Sequence, residues 1–166
     1  MPWRVLAASP RALFIPPRLA AAAVRRCDQD APAESVVLLA GLGTAGGRAR
    51  AVHYRVLANG ARDRRHAFRV EAHDLLDALH RTASRGLVPL AILHSHPADL
   101  GRASRADASG AWPEFLTVIL ERGPRPRWRA YRSAGAGPQR TLQPIALAVR
   151  LVRTHRSGRR VRVVAP

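Results

Sequence analysis

The chain has 166 residues, a formal net charge of +17 and a single cysteine. This length supports one hydrophobic core, the lone cysteine excludes an intramolecular disulfide, and no apolar run is long enough to span a membrane. The apolar stretch in residues 1–8 is too short for a signal peptide, so we expect a cytoplasmic protein.

The positive charge comes entirely from arginine, because the sequence contains no lysine. Arginine and alanine are both abundant, which is typical of proteins from GC-rich genomes. The arginines are scattered and aromatic residues are few, so this compositional origin is favoured over binding to nucleic acid. Attraction to an acidic protein partner stays open.

The beginning of the sequence predicts a strand followed by a helix. Residues 11–15 have strand character, and Pro16-Pro17 then begins a helix that extends to about Asp28. One face of this helix carries its small and apolar side chains: Leu19, Ala20, Ala23, Val24 and Cys27. Cys27 is therefore predicted to be a buried core residue rather than a nucleophile.

Two further strands are predicted around a glycine-rich segment. Residues 36–40 form a continuous apolar run, which is typical of a strand covered on both faces. Residues 41–47 are rich in glycine but lack the lysine and hydroxyl of a phosphate-binding loop, so they predict a turn into a strand over 50–58. Asn59-Gly60 is a strong turn signal after that strand.

The remaining periodic segments predict a helix over residues 71–84, strands over 87–93 and 115–121, and a basic C-terminal hairpin over 145–154 and 161–165. The core stripe of the helix is predicted to be Ala72, Leu75, Leu76 and Leu79. Its polar flank carries three side chains that suggest a second metal site: His73, Asp77 and His80. A solvated helix face explains this trio better.

The strongest chemical signal follows the strand over 87–93. His94 and His96 stand one residue apart, so their imidazoles can converge on one metal, and Asp107 can supply a third ligand. Three such ligands leave a fourth position open for water, as in catalytic zinc sites. Ser104 is the predicted N-cap of a short helix that places Asp107 beside the histidines.

The pattern His-x-His-Pro followed by Ser-x-x-Asp resembles the JAB/MPN (JAMM) metalloprotease family over roughly residues 10–132. That family also has a glutamate just ahead of an apolar strand ending in glycine, and Glu34 within residues 32–41 matches it. The sequence departs from the family at Val37, where many relatives carry glycine. Pro89 is a further oddity, because it lacks an N–H for strand pairing.

The resemblance implies an α/β (α+β) fold with a JAB/MPN-like mixed β-sheet flanked by helices, and the alternating pattern of the tail adds a C-terminal β-hairpin extension. We therefore expect a JAB/MPN metalloprotease-like domain over residues 1–135 and an extension over residues 136–166 that packs on the same domain. The resemblance concerns the first of these two regions. It also implies a zinc metallopeptidase that holds one Zn²⁺ per chain through His94, His96 and Asp107.

In the implied reaction Glu34 acts as general base and acid, Ser104 stabilises the oxyanion, and Pro97 fixes the chain as it leaves the ligand pair. The implied substrate is a ubiquitin-like protein or its conjugates, cleaved after the C-terminal glycines. Two alternatives stay open: a RadC-like DNA-associated protein, and a catalytically idle MPN interaction module.

Overall fold

A computed structural model describes residues 10–44, 47–96, 102–154 and 160–164. These residues contain three α-helices, a short 3-10 helix and nine β-strands. The helices are α1 (Pro17–Asp30), α2 (Ala72–Ala83) and α3 (Arg105–Gly110), and the 3-10 helix is Gly137–Gln139. The strands are β1 (Ala12–Ile15), β2 (Val36–Thr44), β3 (Arg48–Leu57), β4 (Val88–His96), β5 (Leu116–Glu121), β6 (Arg127–Ala134), β7 (Thr141–Pro144), β8 (Ala146–Thr154) and β9 (Arg160–Val164).

The strands form a mixed sheet in the order β7-β6-β5-β4-β2-β3-β1-β8-β9. Strand β4 runs parallel to β5, and β1 runs parallel to both β3 and β8. The other neighbours are antiparallel. The predicted mixed sheet with flanking helices is therefore confirmed, and β4 lies near its centre.

Helix α1 covers one face of the sheet, as its apolar stripe predicts. Ala20, Ala23 and Cys27 are fully buried, and Leu19 and Val24 pack against the same core. The sheet contributes alternate strand residues to this core, among them Leu13, Ile15, Val37, Leu39, Leu93 and Val118. Burial of apolar side chains against α1 is the main stabilising contribution on this face.

Helix α2 covers part of the opposite face, but its core stripe differs from the predicted one. Ala72 and Leu76 are exposed, so their predicted burial is wrong. The residues that face the core recur at helical spacing: Leu75, Ala78, Leu79 and Thr82. The three apolar ones, Leu75, Ala78 and Leu79, pack over a cluster of sheet and loop residues: Val36, Leu38, Leu57, Ile92 and Phe115. Leu75 and Leu79 belong to both stripes, so the helix is rotated only far enough that Ala78 and Thr82 are buried instead of Ala72 and Leu76.

Residues 41–44 of the glycine-rich segment are strand, whereas Gly47 lies in a turn and residues 45–46 are outside the described residues. Strand β2 continues to Thr44 and pairs with β3 from Arg48, with a register shift at Ala40 and Gly41. A Cβ atom on Gly41 would overlap the carbonyl oxygen of Arg50. Glycine at this position therefore permits close approach of two strands and does not end the strand.

Pro89 occupies a position in β4 where no N–H is needed. It pairs with Ala40 of β2 next to a register shift, and the pairing of β4 with β5 begins only at Ala91. Proline is tolerated at such a bulge beside an unpaired edge.

The C-terminal segment lies at both edges of the sheet. Strand β7, which the sequence did not predict, pairs with β6 at one edge, and β8 pairs with β1 at the other. Strands β8 and β9 form the predicted hairpin, whose turn at residues 155–158 lies outside the described residues. No helix in the described ranges is long and apolar enough to cross a membrane.

Candidate metal centre

Strand β4 places both predicted histidine ligands on one face of the sheet. The strand extends to His96, three residues beyond its predicted end, so the histidines lie within the strand rather than after it. Successive strand residues alternate in direction, so His94 and His96 share the α2 face with Ile92. Both imidazoles are buried.

Helix α3 delivers the predicted carboxylate through a capping box at its N-terminus. The Ser104 hydroxyl oxygen accepts a hydrogen bond from the Asp107 backbone N–H at 3.0 Å, and Asp107 Oδ2 accepts one from the Ser104 N–H at 2.6 Å. The predicted N-cap is therefore confirmed. These reciprocal bonds fix the Asp107 side chain in one rotamer, turned towards the histidines.

The three side chains converge through specific atoms. His94 Nε2 lies 3.0 Å from His96 Nε2 and 3.0 Å from Asp107 Oδ1, and His96 Nε2 lies 3.5 Å from Asp107 Oδ2. Ligands at zinc bond lengths in a tetrahedral arrangement stand about 3.3 Å apart. The donor set and spacing therefore fit a metal ion, and this is the one cluster of at least three such ligands in the described part of the chain.

The charges of the cluster suit metal binding. Burial lowers the pKa of His94, which favours the neutral imidazole that a metal requires. Burial also acts to lower the pKa of His96, but its hydrogen bond to Asp107 and the nearby carboxylates raise it overall. Burial alone would raise the pKa of Asp107, but hydrogen bonds from both histidines hold that pKa well below its ordinary value, so the carboxylate stays ionised.

Glu34 lies two residues before β2 and faces the same pocket as His96 and Asp107. It is only 5% exposed. Burial, with a smaller contribution from the charge of Asp107, raises the pKa of Glu34 to about 7, although His96 opposes this shift. A carboxyl group with this pKa can accept and release a proton near neutral pH.

The backbone of Glu34 is held on both sides by the loop between β3 and α2. Its N–H donates to the Arg64 carbonyl oxygen at 2.6 Å, and its carbonyl oxygen accepts from Asn59 Nδ2 at 3.0 Å. Asn59 Nδ2 also donates to the Ala67 carbonyl oxygen, and its Oδ1 accepts from the Arg69 backbone N–H. The Asn-Gly turn signal therefore marked a residue that supports the site, which the sequence analysis did not recognise.

Two buried serines, Ser35 and Ser95, link the segment that bears Glu34 to β4 by hydrogen bonds. The Ser35 N–H donates to Ser95 Oγ at 2.9 Å, and the Ser95 N–H donates to the Ser35 carbonyl oxygen at 3.1 Å. Ser35 follows Glu34, and Ser95 separates the two histidines. This tie fixes the carboxyl-bearing segment against the ligand pair.

A cavity of about 320 Å³ opens beside the cluster. Its walls include Phe68, Val70 and Trp112, with Arg69 and Arg102 among the charged lining residues. Sequence analysis missed all five residues, because they lie in irregular segments without a periodic signal. Their only available signal was large apolar or basic side chains in loops next to the motif.

The other predicted site residues are not brought together. His73 pairs with Asp74, and Asp77 pairs with Arg81, all on the exposed side of α2. These three residues do not form a ligand cluster, so the less favoured metal-site interpretation is excluded and the preferred interpretation, a solvated helix face, is retained. Pro97 lies outside the described residues.

Comparison with known proteins assigns most of the chain to a family. The prokaryotic homologs of the JAB domain match residues 16–133, a range that contains Glu34, both histidines, Ser104 and Asp107. The chain belongs to this family. No curated protein matches it significantly.

Solved structures support the same fold. Protein DSY2949 from Desulfitobacterium hafniense superposes with a TM-score of 0.71 at 19% identity, over 84% of this chain and 93% of that one. A protein from Salinibacter ruber superposes with a TM-score of 0.58 at 22% identity, over 81% of this chain and 90% of that one. At these identities the likeness concerns the fold alone.

Proposed function

We propose that the chain is a zinc-dependent peptidase or isopeptidase that cleaves after the C-terminal glycines of a ubiquitin-like protein. The observation that carries this proposal is the convergence of His94, His96 and Asp107 beside a pocket that His96, Asp107 and the buried Glu34 line. Two imidazoles and one carboxylate form a donor set common to catalytic zinc sites, and the family membership supports the same chemistry.

The residues at the site have three different roles in the proposed hydrolysis. His94, His96 and Asp107 would hold zinc, which when bound lowers the pKa of a coordinated water and polarises the scissile carbonyl. Glu34 takes a proton from the attacking water and delivers it to the leaving amine. The Ser104 oxygen accepts from the Asp107 N–H, which leaves its own hydrogen free to donate to the oxyanion.

Two arguments, one steric and one electrostatic, support a ubiquitin-like substrate. Glycines at the cleavage point allow an extended backbone to approach the ligand cluster closely. A net charge of +17 favours rapid encounter with an acidic protein. We place this activity in the cytoplasm.

Metal content is the first test. Elemental analysis of protein purified without added metal should find one zinc per chain, and Asp107→Ala should lose it. Asp77→Ala is the matched control, because Asp77 is exposed and paired with Arg81. Full zinc retention in a variant carrying both His94→Ala and His96→Ala would refute the assignment and favour an idle interaction module.

Turnover is the second test. A ubiquitin-like protein encoded beside this gene, fused to a reporter, should be cut directly after Gly-Gly. Glu34→Gln should keep zinc and substrate binding but lose at least about 100-fold in turnover, as expected for a missing general base. Near-normal turnover in this variant would show that Glu34 is not the base.

A DNA-associated role is the second candidate. Arginines occur throughout the chain, but one segment combines them with a complete lack of acidic residues, and this segment supports the DNA-associated role. Residues 122–166 contain twelve arginines and no acidic residue. Such a segment suits contact with phosphates, and the affinity would fall steeply with salt. Tight salt-dependent DNA binding without cleavage of any modifier fusion would favour this candidate over the peptidase.

A further inference from the structure

The cavity beside the metal-binding cluster has an apolar wall that a Gly-Gly tail leaves unused. The apolar wall consists of three residues that line the cavity: Phe68, Val70 and Trp112. The cavity volume of about 320 Å³ is at the lower end of the range for small-molecule pockets, roughly 300–1,000 Å³. Glycine has no side chain that could fill such a space.

The apolar wall is anchored on the protein side and open on the cavity side. All three residues pack against the buried cluster under α2 yet keep part of their surface exposed. The Phe68 ring lies 4.5 Å from the His94 ring and 6.4 Å from the Trp112 ring, measured between centroids. Partly exposed aromatic rings that line a cavity beside converging polar groups are typical of a ligand site.

Two residues of the apolar wall lie in the loop that holds Glu34, and Glu34 lines the same cavity as the wall. Phe68 and Val70 belong to the loop that holds Glu34 through both its N–H and its carbonyl oxygen. Asn59 donates to the backbone carbonyl oxygens of both Glu34 and Ala67, so the backbone of Glu34 is fixed relative to the loop segment that carries Phe68 and Val70. A group that protonates the leaving amine must stand beside that amine.

We infer that the cavity binds a large apolar side chain on the leaving-amine side of the scissile bond. This inference rests on the proposed function, because the position of Glu34 assigns the side. The substrate class is then a Gly-Gly tail joined to an amine that carries an aromatic or aliphatic group. Arg102 lines the same cavity, and Arg69 lines it while paired with Glu71 at 2.8 Å. Asp107 would be bound to the metal, so the apolar wall itself offers a cationic group no acidic partner.

Internally quenched peptides with the core Gly-Gly-X test the preference directly, where X is Phe, Leu, Gly or Arg. We expect kcat/KM for Phe and Leu to exceed that for Gly by at least about tenfold, with Arg lowest. Val70→Thr keeps the side-chain volume but adds a hydroxyl, so it should reduce the preference for Phe several-fold. Phe68→Leu should retain an apolar preference, and zinc content should be unchanged in both variants.

Leu76→Ala is the matched control, because Leu76 is 45% exposed on α2 and does not line the cavity. It should leave the order of preference unchanged. Equal cleavage of the Phe and Gly peptides by the wild-type protein would overturn the inference.

A binding measurement separates this inference from the proposed function. L-Phenylalaninamide, a mimic of the leaving amine, should shift the indole N–H resonance of Trp112, whereas glycinamide and argininamide should not. If phenylalaninamide causes this shift but no peptide is cleaved, the proposed peptidase function is refuted and the apolar binding site is retained. Absence of the shift would overturn the site whether or not peptides are cut.

Discussion

Glu34 is buried although a carboxyl group is strongly hydrated in water. Its pKa is raised to about 7 in the folded chain, against an ordinary value of 4.5. The unfolded chain therefore releases this proton at lower pH than the folded chain does. The contribution of Glu34 to the free energy of unfolding is therefore most favourable below pH 4.5, and it is lost as the pH rises through about 7.

Glu34→Gln should therefore stabilise the metal-free protein at pH 8, by up to about 3 kcal/mol, and have little effect at pH 4.5. Denaturant unfolding in the presence of a chelator at both pH values measures this difference. Glu114→Gln, at an exposed position outside the cavity, is the control. An equal effect of Glu34→Gln at both pH values would contradict the raised pKa.

The hydrogen bonds between Ser35 and Ser95 lead to a prediction about the position of Glu34 relative to the two histidines. Ser95→Ala leaves the buried Ser35 N–H without its side-chain acceptor, which costs about 1–3 kcal/mol of unfolding free energy. The segment that bears Glu34 should also move relative to the histidines, so kcat should fall more than KM changes. Ser84→Ala removes an exposed hydroxyl whose bond is to Arg81, and should change neither. An unchanged kcat in Ser95→Ala would limit the tie to a structural role.

Helix α3 is only six residues long, and its capping box would link helix formation to the proposed metal binding. Ser104→Ala removes the bond to the Asp107 N–H, which costs about 1 kcal/mol. Because Asp107 is then less well fixed, zinc affinity should fall by about tenfold or more. Competition with a chromogenic chelator measures this change.

Two further substitutions at Ser104 separate capping from oxyanion stabilisation. Threonine keeps both the cap and the hydroxyl donor, whereas aspartate keeps the cap but cannot donate. Ser104→Thr should thus preserve zinc affinity and turnover, and Ser104→Asp should preserve zinc affinity while losing turnover. Ser109→Ala on the same helix is the control, since its hydroxyl only bonds Ala106. Full turnover in Ser104→Asp would remove the oxyanion role.

The sheet as a whole depends on its C-terminal strands. Strand β8 pairs with β1 at every residue from Ala12 to Ile15, and Ile145 packs against the core under α1. Deleting residues 145–166 should leave β1 as an unpaired edge, so the protein should lose stability and tend to associate. Thermal unfolding and light scattering test this prediction. An unchanged Tm and a monomeric truncated chain would show that residues 145–166 are dispensable for the fold.

Local sequence signals predicted those features that depend on near neighbours in the chain. The stripe on α1, the apolar run of β2, the capping box and the hairpin of β8 and β9 each follow from residue order and spacing. The candidate ligands were also predictable, because two histidines and a capped aspartate have a demanding spacing.

Other features depended on pairings that the local sequence does not encode. Gly41 was expected in a turn, but a close approach to Arg50 makes it part of a strand. Ala72 and Leu76 were expected in the core, but α2 is rotated by its contact with the sheet. Periodicity alone predicts the buried face of a helix only approximately. Contact with the sheet decides which of several small or apolar residues face the core.

The sequence by itself determined which residues can bind a metal and transfer a proton: His94, His96, Asp107 and Glu34. Only the tertiary structure decided what surrounds them, because contacts between distant segments set burial, charge and cavity shape. Burial of Glu34 under a loop that Asn59 holds raises its pKa. Phe68 and Trp112, distant in sequence, meet beside His94 and form the wall of the cavity.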